Sequence, residues 1–127
     1  MNAAAVFLGG GLGAVTRYAV GLLARRLGPA TAWPWGTFAV NVVGCVAAGW
    51  LAWWFAHRGP VAPALRLGVT TGFLGGLTTF SAFAHESVGL WLGGQRVLAA
   101  ANVTAQVGLG LAGAAFGWWW AARGGRA

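Results

Sequence analysis

A chain of 127 residues, 58% hydrophobic and only 7% charged, lacks the polar exterior that a soluble domain of this size needs, so the sequence reads as a single membrane domain over residues 1–127. The net charge of +7 does not point to nucleic acid, because the arginines are scattered at predicted helix ends and suit anchors that snorkel to lipid headgroups. Cys45 stands alone in mid-span, which excludes an internal disulfide and a cysteine metal cluster and reads as a small apolar packing residue.

A helix crosses the hydrocarbon core with about 20 apolar residues, and four such runs nearly exhaust the chain. The first is predicted from Ala3 to Leu23. It lacks a charged n-region and contains GGGLG followed by Arg17, so it is expected to stay as a span and not to be cleaved. Gly9 and Gly13, four apart, permit close approach of a second helix. Arg17 either snorkels to the interface or lines a wet vestibule that attracts anions.

The second span is predicted from Trp35 to Phe55 and carries GTFAVNVVG. Thr37 and Asn41 lie one turn apart. The Asn41 amide offers two donors suited to an anion stripped of water, or else to an interhelical hydrogen bond that joins subunits.

The third span, predicted from Leu67 to Leu90, holds GFLGGLTTFSAFAHE. Gly68, Gly72 and Gly76 share one helix stripe. Gly75 and Gly76 followed by Leu77, Thr78 and Thr79 weaken the helix where only Thr hydroxyls can satisfy the freed carbonyls, which predicts a break near mid-membrane. Such a break exposes carbonyls and amides able to hold small ions, and its neutral oxygens suit a hard cation such as sodium. Phe80 and Phe83 share a face with Ser81 between them, and Thr79, Phe83 and Glu86 are expected along one side. Ring edges carry positive charge, so two Phe edge-on can support an anion without gripping it. Glu86, the chain's only acid, reads as a proton carrier, a partner for Arg17 of another subunit, or a group facing vestibule water.

The fourth span, from Val97 to Ala121, repeats the glycine device at Gly113 and Gly117 and carries the polar Asn102, Thr104 and Gln106, to which no role is assigned. Tryptophans 33, 35, 53, 54, 91 and 118–120 cluster near the predicted ends as an aromatic belt. Four spans place Arg58, Arg66, Arg123 and Arg126 on one side of the membrane and Arg25, Arg26 and Arg96 on the other. Four against three is almost no bias, so the topology signal is nearly cancelled; either one edge arginine should not be counted or the chain inserts both ways up and pairs antiparallel.

GGGLGAVTRY, GTFAVNVVG and GFLGGLTTFSAF together resemble the Fluc (CrcB-type) fluoride ion channels over essentially the whole chain. The resemblance implies a multi-pass protein of the cell inner membrane: an all-α, four-span subunit in an antiparallel, dual-topology homodimer with two pores. It implies a structural, untransported sodium ion held by main-chain oxygens of Gly75 and Thr78. Phe80 and Phe83 would face fluoride, Asn41 would donate to it, and Ser81 would belong to a hydroxyl track, with Thr79 on the same pathway and Arg17 and Glu86 near vestibule and pore. Ala82 and Ala84 stand where the family often has hydroxyls, so the polar track is either shorter here or continued by the fourth span. His85, which precedes the acid, is assigned no role. The implied activity is passive fluoride export, not enzymatic. A rival reading, a small proton-coupled multidrug exporter using Glu86, is disfavoured because the first span has Arg17 where such exporters carry a carboxylate.

Overall fold

The computed structural model describes residues 1–29 and 31–125; Arg126, one of the arginines counted above, lies outside them. The described elements are all helical: α1 Asn2–Leu27, α2 Trp35–His57, α3 Pro63–Leu67, a π-helical segment Gly68–Leu74, α4 Gly75–Leu77, α5 Phe80–Leu92 and α6 Arg96–Gly124. The stretches Asn2–Leu27, Trp35–His57, Pro63–Leu92 and Arg96–Gly124 are each long and apolar enough to cross a membrane, as the four apolar runs predict. Each helix overruns its predicted span by a few residues. Backbone hydrogen bonds keep a helix going past the hydrocarbon edge, whereas apolar side chains mark only the part inside it. The third span starts four residues before Leu67 because Pro63 sits in the first turn of α3, where its missing N–H is no loss.

Helix contacts follow the glycines. A methyl group at Gly9 would strike the carbonyl oxygen of Gly68, one at Gly13 that of Phe73, and one at Gly76 that of Gly10. The predicted stripe on the third span therefore meets its counterpart on α1, backbone against backbone. α2 and α6 meet in the same way: a Cβ at Gly117 would enter the Val46 carbonyl and one at Gly49 the Ala114 carbonyl. The small-residue spacing is helix packing at these positions, and it seats α1 on the first half of the third span and α2 on α6.

The third span is interrupted at Thr78 and Thr79, close to the middle of Pro63–Leu92. Thr78 (φ −85°, ψ 154°) and Thr79 (φ −152°, ψ 114°) are extended, a conformation that β-branched residues adopt readily. The two threonine hydroxyls bond on either side of the interruption. Thr78 Oγ1 donates to the Leu74 carbonyl at 2.9 Å, and Thr79 Oγ1 accepts from the Ala82 N–H at 3.2 Å as the N-cap of α5. The Leu74 carbonyl also accepts from the Thr78 N–H at 2.9 Å, so it is not a carbonyl that the break frees; the freed group that the Thr pair bonds is the Ala82 N–H.

Arginines at the helix ends lie over aromatic rings: Arg58 over Trp54 and Arg66 over Phe55, both at 5.7 Å, Arg96 over Trp91 at 5.4 Å, and Arg123 over Trp119 at 3.9 Å. A cation resting on an amphipathic ring is the arrangement expected of an interfacial anchor.

Candidate functional site

Asn41 of α2 reaches across to the break. Its Oδ1 accepts from the Thr79 N–H at 2.8 Å, and its Nδ2 donates to the Thr79 carbonyl at 3.1 Å and to Gln106 Oε1 at 2.7 Å. Because the Thr79 N–H turns to Asn41, the Gly75 carbonyl four residues back loses its helical donor. The Asn41 side chain therefore replaces the missing helical turn with its oxygen and one amide hydrogen, and its other amide hydrogen is engaged by Gln106. The bond is interhelical, as one sequence reading allows, but it lies within one subunit.

The break, the amides and the rings share one groove. A cavity of about 320 Å³ is lined by Asn41, Thr78, Thr79, Phe80, Phe83 and Gln106, with Cys45 on its α2 wall. Phe80 and Phe83 lie edge to face, centroids 5.5 Å apart and planes at 63°. Phe83 is buried at 8% exposure, whereas Phe80 stands 79% exposed. Ser81, also exposed, has its Oγ 3.2 Å from Thr79 Oγ1.

Helical spacing does not carry through the break. Thr79 caps α5 from outside it, and of the three residues expected along one side only Thr79 and Phe83 line this groove, while Glu86 lines another cavity. Thr79 is nonetheless buried, and its hydroxyl stays beside Ser81.

Glu86 belongs to a second cavity, of about 550 Å³, which includes Arg25, Arg26, Trp33 and Thr37. Thr37 Oγ1 donates to Glu86 Oε1 at 2.7 Å, while Glu86 Oε2 and Trp33 Nε1 are buried without a hydrogen-bond partner. Arg17 is half-buried on α1 and does not line either cavity. Thr37 and Asn41, one turn apart, thus aim at two different sites on the third span.

Two fourth-span residues enter the site. Asn102 is fully buried and donates to Ser87 Oγ at 2.9 Å, and Gln106 Nε2 donates to Asn102 Oδ1 at 3.1 Å. Thr104, exposed between them, bonds only its own helix at the Ala100 carbonyl. The spacing of four between Asn102 and Gln106 was the available signal; Ser87 left none, since a serine in a helix commonly bonds back to its own turn, as it does here to the Phe83 carbonyl at 2.8 Å. Hydrogen bonds thus run from Asn41 through Gln106 and Asn102 of the fourth span to Ser87. His85 is exposed on α5.

The carbonyls of Gly75 and Thr78 have the right chemistry for a sodium ion. Both are neutral, hard oxygens, the first is released by the Asn41 contact, and the space beside the Gly75 Cα is open.

The fold defines a small polytopic membrane protein with a broken third span and a groove beside the break. Residues 4–118 match the family model described as CrcB-like protein, Camphor Resistance (CrcB), and the chain belongs to that family, as its three motifs predict. It is 50% identical over 108 residues to the Fluoride-specific ion channel FluC of Rhizobium etli (strain CIAT 652), covering 84% of this chain and 85% of that protein. It is 46% identical over 112 residues to the protein of the same name from Rhizobium johnstonii (88% and 89% covered). With that of Paracoccus denitrificans it shares 49% identity over 109 residues (84% and 83% covered).

Proposed function

We propose that this protein is a fluoride-selective channel of the inner (plasma) membrane, which lets fluoride leave the cytoplasm passively and so lowers its toxicity. The observation that carries the reading is the groove itself: aromatic edges, two amides and the open turn of a broken helix meet in one cavity, in a chain half identical to a protein named a fluoride channel.

Fluoride is small and strongly hydrated, so a pathway must replace its water without trapping it. Neutral donors and the positive rims of Phe80 and Phe83 do both. A buried guanidinium would hold the ion too firmly, and none lines the groove. Glu86 and Arg17 would act at the mouths, Glu86 through its hydrogen bond with Thr37 and Arg17 by drawing anions toward the pathway.

The working form would be an antiparallel homodimer with two pores. An isolated subunit leaves the Phe80 ring and Gly75 uncovered in the middle of the membrane, and the near-balanced arginines permit insertion both ways up. Two carbonyls are few to replace a cation's hydration shell; a second copy related by a twofold axis would add its own Gly75 and Thr78 oxygens. A sodium ion held there would fix both breaks and lower the energy of an anion nearby.

Purified protein in liposomes loaded with sodium fluoride tests this directly. Fluoride release is expected to follow an imposed membrane potential, to persist when the proton gradient is collapsed, and to leave chloride behind. Release that stops with the proton gradient would favour the exporter built on Glu86, and no release of either anion would reduce the fold to a scaffold.

A further inference from the structure

The hydrogen bonds around the break run in one direction. The Thr79 N–H donates to Asn41 Oδ1 (2.8 Å), Asn41 Nδ2 to Gln106 Oε1 (2.7 Å), Gln106 Nε2 to Asn102 Oδ1 (3.1 Å), Asn102 Nδ2 to Ser87 Oγ (2.9 Å), and the Ser87 hydroxyl to the Phe83 carbonyl (2.8 Å). A backbone N–H can only donate and a backbone carbonyl can only accept, so both ends of the relay force its polarity. No amide within it can flip without setting two donors or two acceptors face to face. Burial makes such a conflict costly: Asn102 is fully enclosed, and Gln106 is 8% exposed.

Hydrogens can now be counted. Asn41 has two on Nδ2; one goes to the Thr79 carbonyl and the other to Gln106. Gln106 also has two on Nε2, and only one is used, on Asn102. Asn102 likewise uses only one of its two, on Ser87, but it does not line the Phe80–Phe83 groove; of the described residues in that wall, the one with a spare amide hydrogen is Gln106.

We propose that Gln106 is an ion-contacting donor of the pathway, and that Asn41 is a positioning residue that holds the break and turns Gln106 oxygen-inward. This rests on the reading of the protein as a fluoride channel. Fluoride would receive the free Nε2 hydrogen of Gln106 without breaking any bond in the relay, whereas a contact to Asn41 would require Asn41 to release either Thr79 or Gln106. The oxygen of Gln106 is held by Asn41, which keeps an acceptor from facing the anion.

The chain contains only two glutamines, Gln95 and Gln106, so selective ¹⁵N-glutamine labelling yields two side-chain amides, one of them an internal control in the loop before α6. Titration with sodium fluoride is expected to shift the Gln106 amide, mainly one of its two protons, and to leave Gln95 in place; sodium chloride should move neither. Gln106→Met, which keeps length and removes the donor, identifies the signal by its loss. It should reduce fluoride flux by about tenfold or more, the order expected for one hydrogen bond to a charged partner. An unmoved Gln106 amide in wild-type protein that conducts fluoride overturns this inference alone, whether or not the variant folds. Wild-type protein that passes no fluoride overturns the functional reading and this inference with it.

Discussion

Replacing Asn41 with leucine is expected to abolish fluoride flux and to destabilise the subunit. Leucine keeps the branched outline of asparagine but is bulkier and offers no hydrogen bonds, so the Thr79 N–H, the Thr79 carbonyl and Gln106 Oε1 all lose their partner at once. Each buried group left unsatisfied costs about 1–3 kcal/mol, which sets the loss at about 3 kcal/mol or more. The break would then have no fixed geometry, and the relay through α6 would lose the end that sets its polarity. Unfolding in detergent reads the stability loss, and liposome efflux reads the flux. Asn41→Asp separates the two roles: its carboxylate can accept from the Thr79 N–H but cannot donate, and its charge repels an anion, so flux should stay abolished. A leucine variant as stable and as conductive as wild type would show that the break does not depend on this side chain.

The second large effect is expected at Phe80→Ile. The ring is 79% exposed in the subunit, so isoleucine removes little packing within one chain while deleting the positive aromatic rim. Folding should be unchanged and fluoride efflux should collapse. Phe83→Ile should also collapse efflux but, because Phe83 is buried and packs edge to face on Phe80, it should cost about 1–2 kcal/mol of stability as well. Normal efflux from both variants would remove the ring edges from the mechanism.

Local features were readable from the chain, and features that need a second helix were not. The four spans are runs of one kind of residue, and the glycine stripes are a spacing of four, so each is written in consecutive sequence. The break was legible for the same reason: two glycines and two threonines stand side by side, and the threonines both adopt extended backbone while the second caps α5. The π-helical Gly68–Leu74 was not legible, because a shift to i→i+5 bonding changes no residue type. Nor could the sequence pair Asn41 with Thr79 and Gln106, or Glu86 with Thr37. Those partners lie 38, 65 and 49 positions apart, and only the packing of α2 against α6 and the third span brings them together. The resemblance to a known family placed Asn41 at the pathway, but its role as a brace comes from the geometry.

The central claim, that this groove conducts fluoride, is tested most directly by electrical recording from purified protein in a planar bilayer with unequal sodium fluoride and equal sodium chloride on the two sides. The account predicts current that reverses at the equilibrium potential of fluoride and does not shift when the chloride gradient is changed. Silence, or reversal that tracks chloride or protons, would contradict it.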